Sequence, residues 1–184
     1  NDLAPARLAQ LEALRLPHVA YANAIDVADP AAPEPIHPRN KQIVGHRLAL
    51  AALDVAYHRP MEWAGPRFAA AVLHRGSEPG SYTVTINFTG PGGLQLGGTE
   101  HCAACCKELP FAAGVVRSAL ATRALSLEVV RDNVVRLGFR SPQPIRFLGY
   151  ANEARPQCVL YGGPGLPAAP FVVPVRDMSS ATES

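Results

Sequence analysis

With 184 residues, 48% of them apolar and 17% charged, the sequence has the composition of a packed globular protein. It has room for one ordinary domain, or for a small domain plus a piece of another. A formal charge of +2, with no basic cluster alternating with aromatics, excludes the usual footprint of a nucleic-acid binder. No apolar run approaches bilayer length, so no membrane span is expected.

The chain opens on Asn1-Asp2-Leu3, which is neither an initiator methionine nor a signal peptide, so the natural gene product is expected to begin upstream. After Pro5, the spacing of Leu8, Leu11 and Leu14 predicts a short helix ending near Leu16-Pro17. Val19 to Val27 is apolar with small residues on both sides, the pattern of a buried parallel strand covered on two faces. A loop with prolines at 30, 33, 35 and 38 follows. Ile43, Val44, Leu48, Ala51 and Val55 then mark a helix from Asn40 to Tyr57, with Asn40 as its cap. One strand and two helices cannot bury their own apolar faces, so residues 1–60 are expected to dock onto further sheet.

Beyond Gly65 the period changes to two. Tyr82, Val84, Ile86 and Phe88 alternate with polar residues. So do Leu125, Leu127 and Val129 and, after the turn Arg131-Asp132-Asn133, Val135, Leu137 and Phe139. Ile145 and Phe147 begin another run. Short strands punctuated by Gly and Pro predict an antiparallel β-sandwich over 61–175, with a disordered tail at 176–184.

The four cysteines are Cys102, Cys105, Cys106 and Cys158, an even number with three clustered, which points to disulfides in an oxidising compartment. His101 beside Cys102, Cys105 and Cys106 superficially resembles half a zinc site. The second spaced pair is missing, so no metal is expected. The expected arrangement joins Cys158 to one member of the cluster. Three connectivities stay open, and a bond between adjacent Cys105 and Cys106 is the most strained. Asn87-Phe88-Thr89 is a glycosylation sequon, in keeping with secretion.

The candidate chemistry lies at Ile36-His37-Pro38-Arg39-Asn40-Lys41-Gln42. His37 follows a buried strand and immediately precedes a helix, the place where catalytic groups gather in open α/β sheets. The partial positive charge of a helix N-terminus favours the neutral imidazole that a general base needs. Flanking prolines stiffen the loop before substrate arrives. The bland alternative is a surface or capping histidine. His18, His46, His58, His74 and His101 have no comparable setting and read as structural or exposed.

The run from Ile36 through Val44-Gly45-His46-Arg47-Leu48 to Leu53 resembles the histidine-bearing motif of the sialate O-acetylesterase family, within the SGNH hydrolases. Tyr21 to Asp29 resembles the strand leading to that motif. Cys106-Lys107-Glu108-Leu109-Pro110 resembles its Cys-Lys-x-Leu-Pro element. Gln157 to Tyr161, followed by Gly165 to Phe171, resembles its C-terminal signature. The resemblance runs from about residue 8 to 175 in the expected order. It implies the C-terminal strand-loop-helix part of a flavodoxin-like, three-layer SGNH core at 1–60, followed by the β-sandwich. It also implies hydrolysis of acetyl esters on sialic acids in a secreted, extracellular or endolysosomal glycoprotein, with no cofactor.

The family's nucleophile sits in a Gly-Gln-Ser-Asn-type motif that this sequence lacks. The implied partner is therefore an N-terminal fragment of the same precursor carrying the serine, and the chain alone is expected to be inert. His37 is then the general base. Its orienting group is Glu34, three residues before it, with Asp29 and Asp26 as rivals, and a backbone carbonyl could also hold the ring. Two other functional classes compete: a non-catalytic carbohydrate-binding or structural module, and an acetylesterase acting on other polysaccharides.

Overall fold

The computed structural model describes residues 3–29, 31–34, 37–98 and 107–177. Among these the protein is a mixed α/β chain, mostly sheet, with two α-helices at its N-terminal end. Helix α1 (Leu3–Glu12) carries Pro5 in its first turn, where a missing N–H costs nothing. It runs into a single 3₁₀ turn at Ala13–Arg15. Helix α2 (Gln42–Val55) starts two residues later than the sequence predicts, because Asn40 lies outside it and its Oδ1 accepts the Gln42 N–H at 3.1 Å.

The predicted strand at Val19 to Val27 does not form among the described residues. A strand needs a ladder, and here no neighbouring strand offers one. The apolar stripe of α2 is likewise only partly covered: Ala51 is buried, but Leu48 is 51% exposed.

From residue 67 onward the chain is β. The strands are β1 (Arg67–Arg75), β2 (Ser81–Thr89), β3 (Gln95–Gly98), β4 (Phe111–Gly114), β5 (Thr122–Arg123) and β6 (Ser126–Arg131). They continue as β7 (Val134–Arg140), β8 (Phe147–Tyr150), β9 (Cys158–Gly162), β10 (Leu166–Pro167), β11 (Phe171–Pro174) and β12 (Arg176–Asp177). A five-stranded sheet has the order β12-β1-β2-β7-β6, a three-stranded one β10-β9-β3, and a four-stranded one β11-β8-β4-β5. All pairings are antiparallel except β1 with β12. Strand β12 corrects the expected tail, since Arg176 and Asp177 pair with Val72 and Leu73 and the Arg75 Nε donates to Asp177 at 2.9 Å.

Period-two alternation builds the core in β2 and β7 but not along Leu125, Leu127 and Val129, where Leu125 and Val129 are 70% and 40% exposed because β6 is the edge strand of its sheet. Tyr82, Val84, Ile86 and Phe88 are buried in β2, and Val135, Leu137 and Phe139 in β7. They meet Phe111, Ala113, Leu148, Tyr150 and Phe171 from the four-stranded sheet and Val159 and Leu160 from β9. Tight turns need glycine at two places. Gly80 takes φ 74° between β1 and β2, and Gly65 lets the chain pass so close to β10 that a Cβ would lie 2.2 Å from the Pro167 carbonyl oxygen.

Candidate active site

His37 sits on the loop between the 19–29 segment and α2, and clips on both sides of it hold that loop. Asp29 is buried, its side chain 5% exposed, and its Oδ1 accepts the Ala31 N–H at 3.0 Å. Its Oδ2 takes the Arg39 Nε at 2.7 Å, while Arg39 Nη2 reaches Oδ1 at 3.2 Å. The Arg39 guanidinium holds the Asp29 carboxyl down to about 2, against the opposing effect of burial. Within the loop, the His37 N–H donates to the Glu34 carbonyl at 2.8 Å, closing a turn, and Pro38 is buried.

The His37 side chain is itself exposed and lines a cleft of about 260 Å³ with Arg7, Tyr21, Asn23, Ile25 and Pro170. Polar bolts fix the walls of the cleft. Arg7 of α1 donates from Nη1 to the Glu153 carbonyl at 2.6 Å and from Nη2 to the Ala154 carbonyl at 2.7 Å; burial pulls its pKa down. Asn23 Nδ2 donates to the Ala168 carbonyl at 2.9 Å. Tyr21 packs edge-on to Trp63 with ring centroids 6.3 Å apart, and burial raises its pKa. Trp63 in turn donates from Nε1 to Asp54 Oδ2 at 2.9 Å, tying α2 to the start of the β region.

The structure separates the residues proposed to orient His37. Glu34 stays next to it, but its carboxylate is exposed, and among the described residues no side chain hydrogen-bonds to the His37 ring. Asp29 is committed to Arg39 and the loop backbone. Asp26, 4% exposed, accepts Arg47 Nη1 and Nη2 at 2.7 Å each and the Tyr161 hydroxyl at 3.1 Å.

Cys158 is fully buried in β9, and no described cysteine is a free thiol. Cys102, Cys105, Cys106 and His101 lie outside the described residues. Asn87 is half-buried in β2, on the side opposite Ile86 and Phe88, beside a shallow cleft with Arg131, Asp132 and Asn133. Among the described residues no three side chains converge as metal ligands, and no helix is long and apolar enough to cross a membrane.

Sequence reasoning missed the buried Asp26–Arg47 pair, although the signal was there. One charge interrupts the apolar run Val19 to Val27, and the other sits between Ile43 and Ala51 at four-residue spacing on an apolar helix stripe. Two charges on buried faces of neighbouring elements must find each other.

Fold and cleft together define the class: a mostly-sheet α/β chain in which an exposed loop histidine lines a cleft. No protein-family model matches the sequence, and no curated protein matches it. Among solved structures it is similar to a carbohydrate acetylesterase from Xanthomonas citri, with a TM-score of 0.67 and 27% identity, across 92% of this chain and 35% of that one. The chain thus spans well under half of that enzyme's length.

Proposed function

We propose that this chain is part of a carbohydrate acetylesterase and carries its general base, His37. The single observation that supports the reading best is the likeness to an acetylesterase along nearly the whole chain, taken with a histidine held over a cleft. The residues at 1–60 would form the strand-loop-helix end of an SGNH core, and the β strands an appended sandwich.

In the proposed reaction a serine hydroxyl, supplied by polypeptide outside these 184 residues, attacks the acetyl carbonyl while His37 takes its proton. The tetrahedral intermediate collapses as His37 returns that proton to the departing sugar oxygen. Water, deprotonated by His37, then attacks the acyl-serine, acetate leaves, and the proton goes back to the serine. With both aspartates committed elsewhere, Glu34 or a carbonyl group remains to orient the imidazole.

The finer reading assigns the acetyl group to a sialic acid and the setting to a secreted or endolysosomal glycoprotein. Asn87 would carry the glycan, and Cys158 would pair with one of Cys102, Cys105 or Cys106. It also assigns the missing serine to an N-terminal fragment of the same precursor. The half-covered stripe of α2 and the unladdered 19–27 segment support such a partner.

The test is acetate release from acetylated sialic acid and from acetylated xylan by the completed protein, with and without His37→Ala. A general base contributes about 10²–10⁴-fold, so the variant should lose activity by that order while keeping its melting temperature, because the side chain is exposed. Undiminished turnover in His37→Ala would overturn the assignment of His37 as general base, whereas no acetate release, with no labelling of the assembly by a fluorophosphonate probe, would favour a non-catalytic carbohydrate-binding module. A preference for xylan would move the substrate to other polysaccharides.

A further inference from the structure

Three elements converge on one carboxylate. Asp26 lies in a turn on the N-terminal side of the His37 loop. Arg47 lies on α2, at its C-terminal side, and Tyr161 belongs to β9. Arg47 donates to both oxygens of Asp26 at 2.7 Å and also to the Asn23 carbonyl. Asp26 and Arg47 are only 4% and 3% exposed. Tyr161 is held in register between Gln95 of β3 and Pro167 of β10, and its ring lies against Gly97, where even a Cβ would come within 3.0 Å.

A buried ion pair is poor evidence for stability, because desolvating two charges offsets most of their attraction. What such a pair does provide is a fixed geometry. We propose that Tyr161 is a positioning residue for His37, donating its hydroxyl to Asp26 Oδ2 and so locking to β9 the pair that pins both ends of the His37 loop. The β strands are then part of the catalytic apparatus rather than a separable appendage. Burial and the neighbouring Asp26 push the phenol pKa well up, so it stays a donor throughout the working pH range. This inference rests on His37 being the general base.

The experiment compares His37→Ala, Tyr161→Phe and the paired replacement Asp26→Leu with Arg47→Met in the completed protein. Turnover of 4-nitrophenyl acetate and thermal melting are measured for each. Tyr161→Phe removes one hydroxyl and keeps the ring, and the paired replacement removes both buried charges at similar volume, so both should fold. Small misplacements of a catalytic group cost up to about 100-fold, so each should lower kcat about 10-fold or more, with KM changed less than about twofold. A parental kcat in either variant, with His37→Ala inactive, overturns this inference alone. Turnover surviving in His37→Ala overturns the reading of His37 and this inference with it.

Discussion

The two halves of the chain are held together by different physics. From residue 67 onward, cohesion is apolar and redundant: Phe111, Leu148, Tyr150, Val84 and Ile86 are all essentially inaccessible, and Phe111, Tyr150 and Phe171 pack ring to ring at 4.9 to 6.5 Å. Before residue 60, few apolar side chains are buried, and the fixed points are individual polar contacts: Arg7 to two carbonyls, Asn23 to β10 and its following loop, Asp26 to Arg47, Asp29 to Arg39. A sheet core tolerates small losses because many contacts share the load. A segment held by a few directional bolts keeps its geometry only while each bolt is made. That arrangement suits the proposed task of the loop, which is to place one imidazole.

The largest loss of stability is expected in the β region. Phe111→Ala should cost about 3–5 kcal/mol, since the side chain is fully buried and packs against the rings of Tyr150 and Phe171. For a chain of this size that lowers the melting temperature by roughly 6–20 °C, and circular dichroism should show the loss as one transition of the whole sheet. A much smaller shift would mean that the core packs more loosely than its burial implies.

Acid should act on the other half first. The Asp29 carboxyl is held down to about 2 from 3.8 by Arg39, so its folded pKa lies below the unfolded one. The stabilisation is therefore complete above about pH 4 and is lost as pH falls through that window towards 2. Hydrogen exchange of the amides at 31–34 and 37–41 should accelerate over this range while those of β2 and β7 stay protected. Asp29→Asn should make the loop open already at neutral pH and abolish the acid dependence. Equal acceleration of both regions would dissolve the distinction between them.

How much of this was legible in the sequence follows the same divide. Strands β2 and β7 were readable because each buries one face, leaving a period of two. Strands β4 and β9 were not read as alternating strands: Phe111-Ala112-Ala113 and Cys158-Val159-Leu160 are buried without a break, and such a run carries no period. Strand β12 is two residues long and exists only because β1 lies beside it, so no local pattern could have announced it. His37 is legible from its setting between an apolar run and a helix, and it lines a cleft. Its surroundings were harder to foresee, because Arg7, Asn23 and Tyr161 reach Glu153, Ala168 and Asp26 across more than a hundred residues of chain. From the sequence alone Asp26 and Asp29 look like partners for the histidine, because nothing local shows that Arg47 and Arg39 claim them.

The exposed stripe of α2 should respond least in stability. Leu48 is half exposed on α2, although it stands in the same periodic stripe as the buried Ala51. If that stripe simply faces water, Leu48→Glu is an ordinary surface change, within about 0.5 kcal/mol in stability and silent in activity. If it awaits the polypeptide that supplies the nucleophile, the chain's own melting should still hardly move, but a charge placed in an apolar contact would go unpaired on assembly. The expected result is therefore a split: near-parental melting of this chain, with loss of acetylesterase activity and of co-purification with the serine-bearing fragment. A melting loss as large as that of Phe111→Ala would instead show that α2 is already part of the core. The same helix would then need no partner, and the difference in cohesion between the two halves would lie only in the loop that carries His37.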